Sequence, residues 1–165
     1  MYGGMMMKYP IMLDITGKRV VIIGGGKVAL RKVKGLLHTG ADILIVGLDV
    51  LSEIKELQVQ VKEEAYRTEH LAGAFLIFIC TNNPEVNQMV LKDHLPEQLV
   101  NDTTEQKNSD FFNMATVSKN ELLVGISTGG GNPGYAKKVK REVSQLVENL
   151  ETEEIGNRNK KDKTC

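Results

Sequence analysis

The chain has 165 residues, with 21 basic and 21 acidic side chains and a formal net charge of zero. That length suits one domain with an appendage, and it buries a full core without disulfides or metals. A neutral balance excludes general nucleic-acid or membrane-surface binding, which needs a basic field. No apolar run approaches the about 20 residues of a bilayer span. Two cysteines, Cys80 and Cys165, form neither a disulfide framework nor a zinc motif, which fits a reducing cytoplasm.

Met1 to Met7 lacks the apolar core of a secretory leader and is set aside. Val20-Val21-Ile22-Ile23 is a β-branched run of strand length, suited to burial on both faces. Gly24-Gly25-Gly26 follows at once, and Ala29, Val33, Leu36 and Leu37 then recur at helical spacing until Gly40. Ile43 to Val46 is a second buried strand, expected to break at Gly47. Val50, Leu51, Ile54 and Leu57 read as a short helix, and Val59 and Val61 as a weak strand.

Phe75 to Cys80 is the most apolar strand of the chain. Asn83 and Pro84 then supply an N-cap and a first helical residue for a helix carrying Val86, Met89 and Val90. Leu99-Val100 is a fifth strand, ending at Asn101. Alternating strands and helices imply a Rossmann-like α/β fold, a doubly wound parallel sheet whose ligands sit beyond the carboxyl ends of the strands. Functional residues are therefore expected after Ile23, Val46, Cys80 and Val100.

After Asn101 the texture changes, and Asp102 to Asp110 is polar and loop-like. Met114 to Val117 and Leu122 to Ile126 flank a polar turn and read as a hairpin. Ser127 to Pro133 is a second glycine-rich loop, and Val139, Val143, Leu146, Val147 and Leu150 repeat at helical spacing. This unit, 113–150, is too small to fold alone and is expected to pack on the first part, 8–112, or on another subunit. Residues 151–165 are charged or polar and read as a disordered tail.

Gly24-Gly25-Gly26-Lys27-Val28-Ala29 fits the dinucleotide pattern G-x-G-x-x-G/A between strand and helix. Glycines permit the tight turn and bring a diphosphate onto bare amides at a helix N-terminus. The bland alternative is a tight turn with no ligand. Asp49 stands where an acid would hold a ribose, or else caps the following helix. Lys27, Arg31 and Lys32 lie on the first helix rather than after the second strand, which favours NAD over NADP. The cofactor set read here is Gly24, Gly25, Gly26, Lys27, Val28, Leu48, Asp49, Thr81 and Asn82. Ser127, Thr128, Gly129 and Gly130, with Lys137 on the basic helix face, read either as a cradle for a polyanion or as a solvated surface. His38, His70 and His94 have no metal-ligand spacing and read as surface residues, so no metal site is expected.

The run Val20 to Leu37, with IIGGGKVALRKVKGLL within it, resembles the cofactor loop of the siroheme-synthase dehydrogenase family. Pro10 to Leu13 looks like that family's opening strand, Cys80 to Asn87 is similar to its A-T-x-D-x-x-V-N segment, and Ile126 to Pro133 resembles its I-S-T-G-G-x-S-P loop. The resemblance spans residues 8 to about 150. It implies an NAD-dependent oxidation of precorrin-2, a tetrapyrrole carrying eight carboxylates, to sirohydrochlorin. It also implies a homodimer held largely by the hairpin-plus-helix unit. Some members are also ferrochelatases. A nucleotide-sensing domain without catalysis is the rival of another class.

Where the family places a catalytic aspartate, this chain has Thr104. Asp102 is the candidate base, with Ser127 beside it in the catalytic set and Glu105 and Asp110 as fallbacks. Asn132 replaces the family's serine before Pro133.

Overall fold

The structure, a computed structural model, describes residues 8–129 and 131–161. The chain divides into two compact units, one of Pro10–Phe112 and one beginning at Asn113 and including Tyr9.

In the first unit the expected alternation forms. Strand β1 is Arg19–Gly25, helix α1 Lys27–Leu36, β2 Asp42–Val50, α2 Ser52–Lys55, β3 Gln60–Lys62, β4 Ala74–Ile79, α3 Pro84–Asp93 and β5 Leu99–Asp102. The strands pair in parallel in the order β3-β2-β1-β4-β5. That order is doubly wound, with its reversal between β1 and β4, where such sheets bind ligands.

Side-chain alternation along each strand fills two cores. Val20, Ile22, Ile43, Ile45 and Phe78 face Ala29, Val33 and Leu36 of α1. Val21, Ile23, Leu44, Ile77, Ile79 and Val100 face the other way, with Val90 of α3. Asn83 caps α3, its Oδ1 accepting from the backbone of Glu85 at 2.9 Å and Val86 at 3.3 Å. The cap and Pro84 start the helix where the sequence places them.

Several expectations change. Gly47 does not end β2, which runs on to pair Val50 with Gly25 across a register shift. An added Cβ at Gly47 would lie 3.1 Å from the Gly25 nitrogen. The glycine is thus a place of close approach rather than a stop. The short helix near Ile54 shrinks to Ser52–Lys55. Residues 8–14 form no strand, and Ile11, Met12 and Leu13 are exposed. Pro10 lacks an N–H to donate, and the five-stranded ladder provides this segment no neighbour.

The second unit holds a two-stranded antiparallel hairpin, β6 (Ala115–Lys119) and β7 (Leu122–Ile126), and helix α4 (Pro133–Lys161). Asn120 turns the hairpin at φ 51°, a left-handed angle that asparagine tolerates. Helix α4 begins six residues before the first residue of the apolar repeat and continues past Glu151, where the sequence suggests a frayed tail. Glu, Lys and Asn-rich stretches still carry helix propensity once a helix has been nucleated upstream. Asp162 to Cys165 lie outside the described residues.

Candidate functional site

The strand-to-helix turn after β1 is shaped by what its glycines lack. Gly24 sits at φ 115°, and a Cβ there would lie 2.6 Å from the Cys80 carbonyl oxygen and 3.1 Å from the Thr81 nitrogen. A Cβ on Gly25 would run into the backbone of Asp49 and Val50. These two positions let β1 close onto the ends of β4 and β2. At Gly26 the situation reverses, because a Cβ would meet nothing within 4 Å. Gly26 is the N-cap of α1, with no side-chain cap and no acid in the first turn. Leu30 N is the first amide of the helix to find its backbone acceptor, Gly26 O, at 3.0 Å. The amides of Lys27, Val28 and Ala29 thus open the helix toward space that is free to take an anion. Ala29 is fully buried and seats α1 on the sheet. Two glycines that pack and one that faces open space are what a diphosphate turn requires.

The remaining cofactor candidates lie around that turn. Leu48 and Asp49 stand exposed near the end of β2, with the Asp49 backbone against Gly25. Thr81 and Asn82 follow β4, and Thr81 N lies against Gly24 together with the Cys80 carbonyl. Thr81 Oγ1 donates to Asn87 Oδ1 at 2.7 Å and accepts from Asn83 N at 3.0 Å. Lys32 does not turn outward toward a 2′-phosphate. Its Nζ donates to Asn101 Oδ1 at 2.9 Å and lies 4.9 Å from the centroid of the Phe78 ring. Burial pushes its ammonium below the usual lysine value.

Asp102 is enclosed by its own loop. It is 4% exposed, and its carboxylate accepts from Thr104 N (2.8 Å), Thr104 Oγ1 (2.7 Å), Glu105 N (3.2 Å) and Asn108 Nδ2 (2.9 Å). Burial pushes this carboxyl up, but the hydrogen bonds from Asn108, Thr104 and Glu105 outweigh it and hold the group below the usual aspartate range. A carboxylate so enclosed shapes the loop after β5 through these four hydrogen bonds. Asp110 is likewise engaged, its Oδ2 accepting from Val100 N at 2.8 Å. Glu105 keeps a half-exposed carboxylate, 3.7 Å from Lys107.

In the second unit Ser127 Oγ accepts from Gly129 N at 3.1 Å, and Thr128 Oγ1 accepts from Asn132 N at 3.2 Å. Asn132 Oδ1 accepts from Tyr135 N at 2.9 Å, so an asparagine caps α4 where the family pattern has serine. Lys137, Lys138, Lys140 and Arg141 are exposed. Gly130 lies outside the described residues.

His70 is not a surface residue. It is 2% exposed, its Nδ1 accepting from Arg67 N at 3.0 Å and its Nε2 facing Glu64 Oε1 at 2.9 Å. The single turn Thr68–Leu71 turns the ring inward beside Tyr66, which its polar sequence neighbours do not suggest. Among the described residues no three His, Cys, Asp or Glu side chains come together as a metal-binding group.

A family model described as "Putative NAD(P)-binding" matches residues 11–115. The precorrin-2 dehydrogenase of Priestia megaterium is 35% identical over 140 residues, covering 82% of this chain and 69% of that protein. The precorrin-2 dehydrogenase of Bacillus subtilis (strain 168) is 31% identical over 143 residues, covering 84% and 88%.

The chain belongs to the precorrin-2 dehydrogenase family.

A solved family structure, SirC, precorrin-2 dehydrogenase, matches with a TM-score of 0.76 and 34% identity, over 84% of this chain and 71% of that one. Asn87, which closes the family-like segment Cys80 to Asn87, has no role in the sequence reading, and the structure buries it. It is a buried polar side chain on a helix face whose other inward residue is Val90. Its signal in the sequence is the single asparagine inside the stretch Val86 to Val90.

Proposed function

We propose that this chain catalyses the NAD-dependent oxidation of precorrin-2 to sirohydrochlorin in siroheme synthesis. The observation that carries the reading is the turn Gly24 to Ala29. Two of its glycines have no room for a side chain, and the third opens the start of α1 to an anion.

In this reading the amides of Lys27, Val28 and Ala29, beside the Gly26 cap, hold the diphosphate, and Gly24 and Gly25 set the turn. Asp49, with Leu48 beside it, receives the adenosine ribose. Thr81 and Asn82 flank the nicotinamide side. NAD, when bound, accepts the hydride. Ser127, Thr128, Gly129 and Gly130 receive the substrate, and Lys137 with its basic neighbours meets the substrate carboxylates by charge complementarity. Asp102 fixes the loop after β5 in place of the proton-accepting role first expected of it. Glu105 has its amide held by that carboxylate and its own side chain half-exposed, and it is assigned the proton. Ser127, with an exposed hydroxyl, stays in the catalytic set as a substrate-orienting group.

The protein acts as a homodimer. Leu122, Leu123, Tyr135 and Leu146 are exposed on a unit whose described buried apolar residues are Val117 and Val147, and a second copy is the occupant that supplies the missing core. No helix among the described residues is long and apolar enough to cross a membrane. The unpaired, buried Cys80 suits the reducing cytoplasm.

The test is direct. Purified protein with precorrin-2 and NAD yields NADH and sirohydrochlorin in equal amounts, and NADP supports slower turnover. Tight nucleotide binding without tetrapyrrole oxidation would replace this reading with a sensor.

A further inference from the structure

Helix α3 is already capped by Asn83 and started by Pro84, and its inward face packs on an apolar core. A buried amide there is expensive unless every polar atom is partnered. Asn87, 5% exposed, is such an amide. Its Oδ1 accepts from Thr81 Oγ1 at 2.7 Å, and its Nδ2 donates to Thr81 O and to Thr104 Oγ1, each at 3.3 Å. Thr104 Oγ1 in turn donates to Asp102 Oδ1 at 2.7 Å.

The direction of this chain follows from its end. The Asp102 carboxylate only accepts, so the Thr104 hydroxyl must donate to it. The Thr104 oxygen then receives the Asn87 NH₂, which turns the Asn87 carbonyl oxygen toward Thr81. Thr81 must therefore donate inward. The series from the Thr81 hydroxyl through Asn87 and Thr104 runs one way, toward a single buried charge, and such a series reinforces itself, while the second Asn87 N–H donates back to the Thr81 carbonyl.

The chain joins two loops at the carboxyl edge of the sheet. Thr81 leaves β4 directly against Gly24 of the diphosphate turn, while Thr104 leaves β5. With the diphosphate over β1 and the ribose acid Asp49 near the end of β2, the nicotinamide half extends toward β4 and β5.

We infer that Asn87 is a positioning residue, locking the loops after β4 and β5 into one unit on the nicotinamide side. The inference rests on the functional reading above and adds to it a residue that never touches substrate or cofactor. A purely structural Asn87 would support α3 packing alone, and its loss would weaken cofactor binding and turnover together.

The test uses Asn87→Asp, Thr104→Val and Thr104→Ser in the full chain. It compares kcat with precorrin-2 and NAD against affinity for ADP-ribose, which lacks the nicotinamide. The near-isosteric Asn87→Asp removes both donors, and Thr104→Val removes the next link. Each is expected to lower kcat by at least about tenfold, the scale of a slightly misplaced group. ADP-ribose affinity should stay unchanged, and Thr104→Ser should restore most of the rate. Should Asn87→Asp fail to fold, the Thr104 pair decides alone. Unchanged kcat, or equal loss of kcat and ADP-ribose binding, overturns the inference. An unmodified protein inactive on precorrin-2 defeats the functional reading instead. The loop link is then decided by amide hydrogen exchange. Faster exchange at both 81–83 and 103–105 in Asn87→Asp supports it, and unaltered exchange refutes it.

Discussion

Lys32 on α1 reaches across the end of the sheet and hydrogen-bonds Asn101 of β5 at 2.9 Å, over the ring of Phe78. Asn101 Nδ2 passes the connection on to the Phe111 carbonyl at 2.8 Å. Burial holds the ammonium below its ordinary value, so across the window between the folded and unfolded values the unfolded chain binds more protons. Stability therefore rises with pH in that alkaline window. Thermal unfolding of the native protein and Lys32→Met should show the native protein gaining on the variant as pH climbs toward about 10.4. Parallel curves would mean that Lys32 is effectively solvated.

The diphosphate turn separates stability from binding at neighbouring residues. Gly26→Asp places a favourable cap on α1 in open space, so its melting temperature should hold or rise, with up to about 1 kcal/mol gained. A carboxylate facing a diphosphate costs several kcal/mol, so NAD affinity should fall by about a hundredfold or more. Gly24→Ala does the reverse, straining a left-handed angle and striking the Cys80 carbonyl. It should cost about 2 kcal/mol or more in unfolding free energy. Calorimetry and nucleotide titration on both variants check the contrast.

Asp102→Asn should cost about 1–3 kcal/mol, because an amide cannot accept from all the donors that surround this carboxylate. The native carboxyl titrates below its unfolded value of about 3.9, so its contribution is complete above that value and is lost as pH falls through the folded one. Acid unfolding between pH 5 and pH 2 should be less steep in the variant. A loss of rate at unchanged stability would instead point to Asp102 as the proton acceptor.

Burial pushes the Cys80 thiol up to about 11, so almost no thiolate exists at neutral pH. In a Cys165→Ser background, iodoacetamide should leave the folded protein unmodified and alkylate it at Cys80 after denaturant is added. Rapid labelling of the native state would contradict the packing around β4.

Much of the fold was legible because its signals are local. Val20 to Ile23 and Phe75 to Cys80 are apolar runs bounded by turn residues, Asn83-Pro84 is a cap with its first residue, and three glycines join a strand to a helix. What escaped depends on residues that meet only after folding. Gly47 looks like a stop until Gly25 is seen pressed against it. Lys32 has the sequence context of a solvated lysine, yet its stem runs inward over Phe78. Asp102 looks like a free acid because Thr104 and Asn108, which enclose it, come from the loop that curls back past it. The burial of His70 and of Asn87 escaped for the same reason, since a polar side chain in the interior is defined by its partners and not by its neighbours in the chain.

The place of β1 at the centre of the sheet has a consequence for biosynthesis. The ribosome releases the middle strand first, and its flank toward β4 stays bare while β2 and β3 are made. Until Ile79 has cleared the exit tunnel, Val20 to Ile23 present an unsheltered sticky border to other nascent chains. Pauses in translation before that point would lengthen the exposure, and a holding chaperone has the most to protect there.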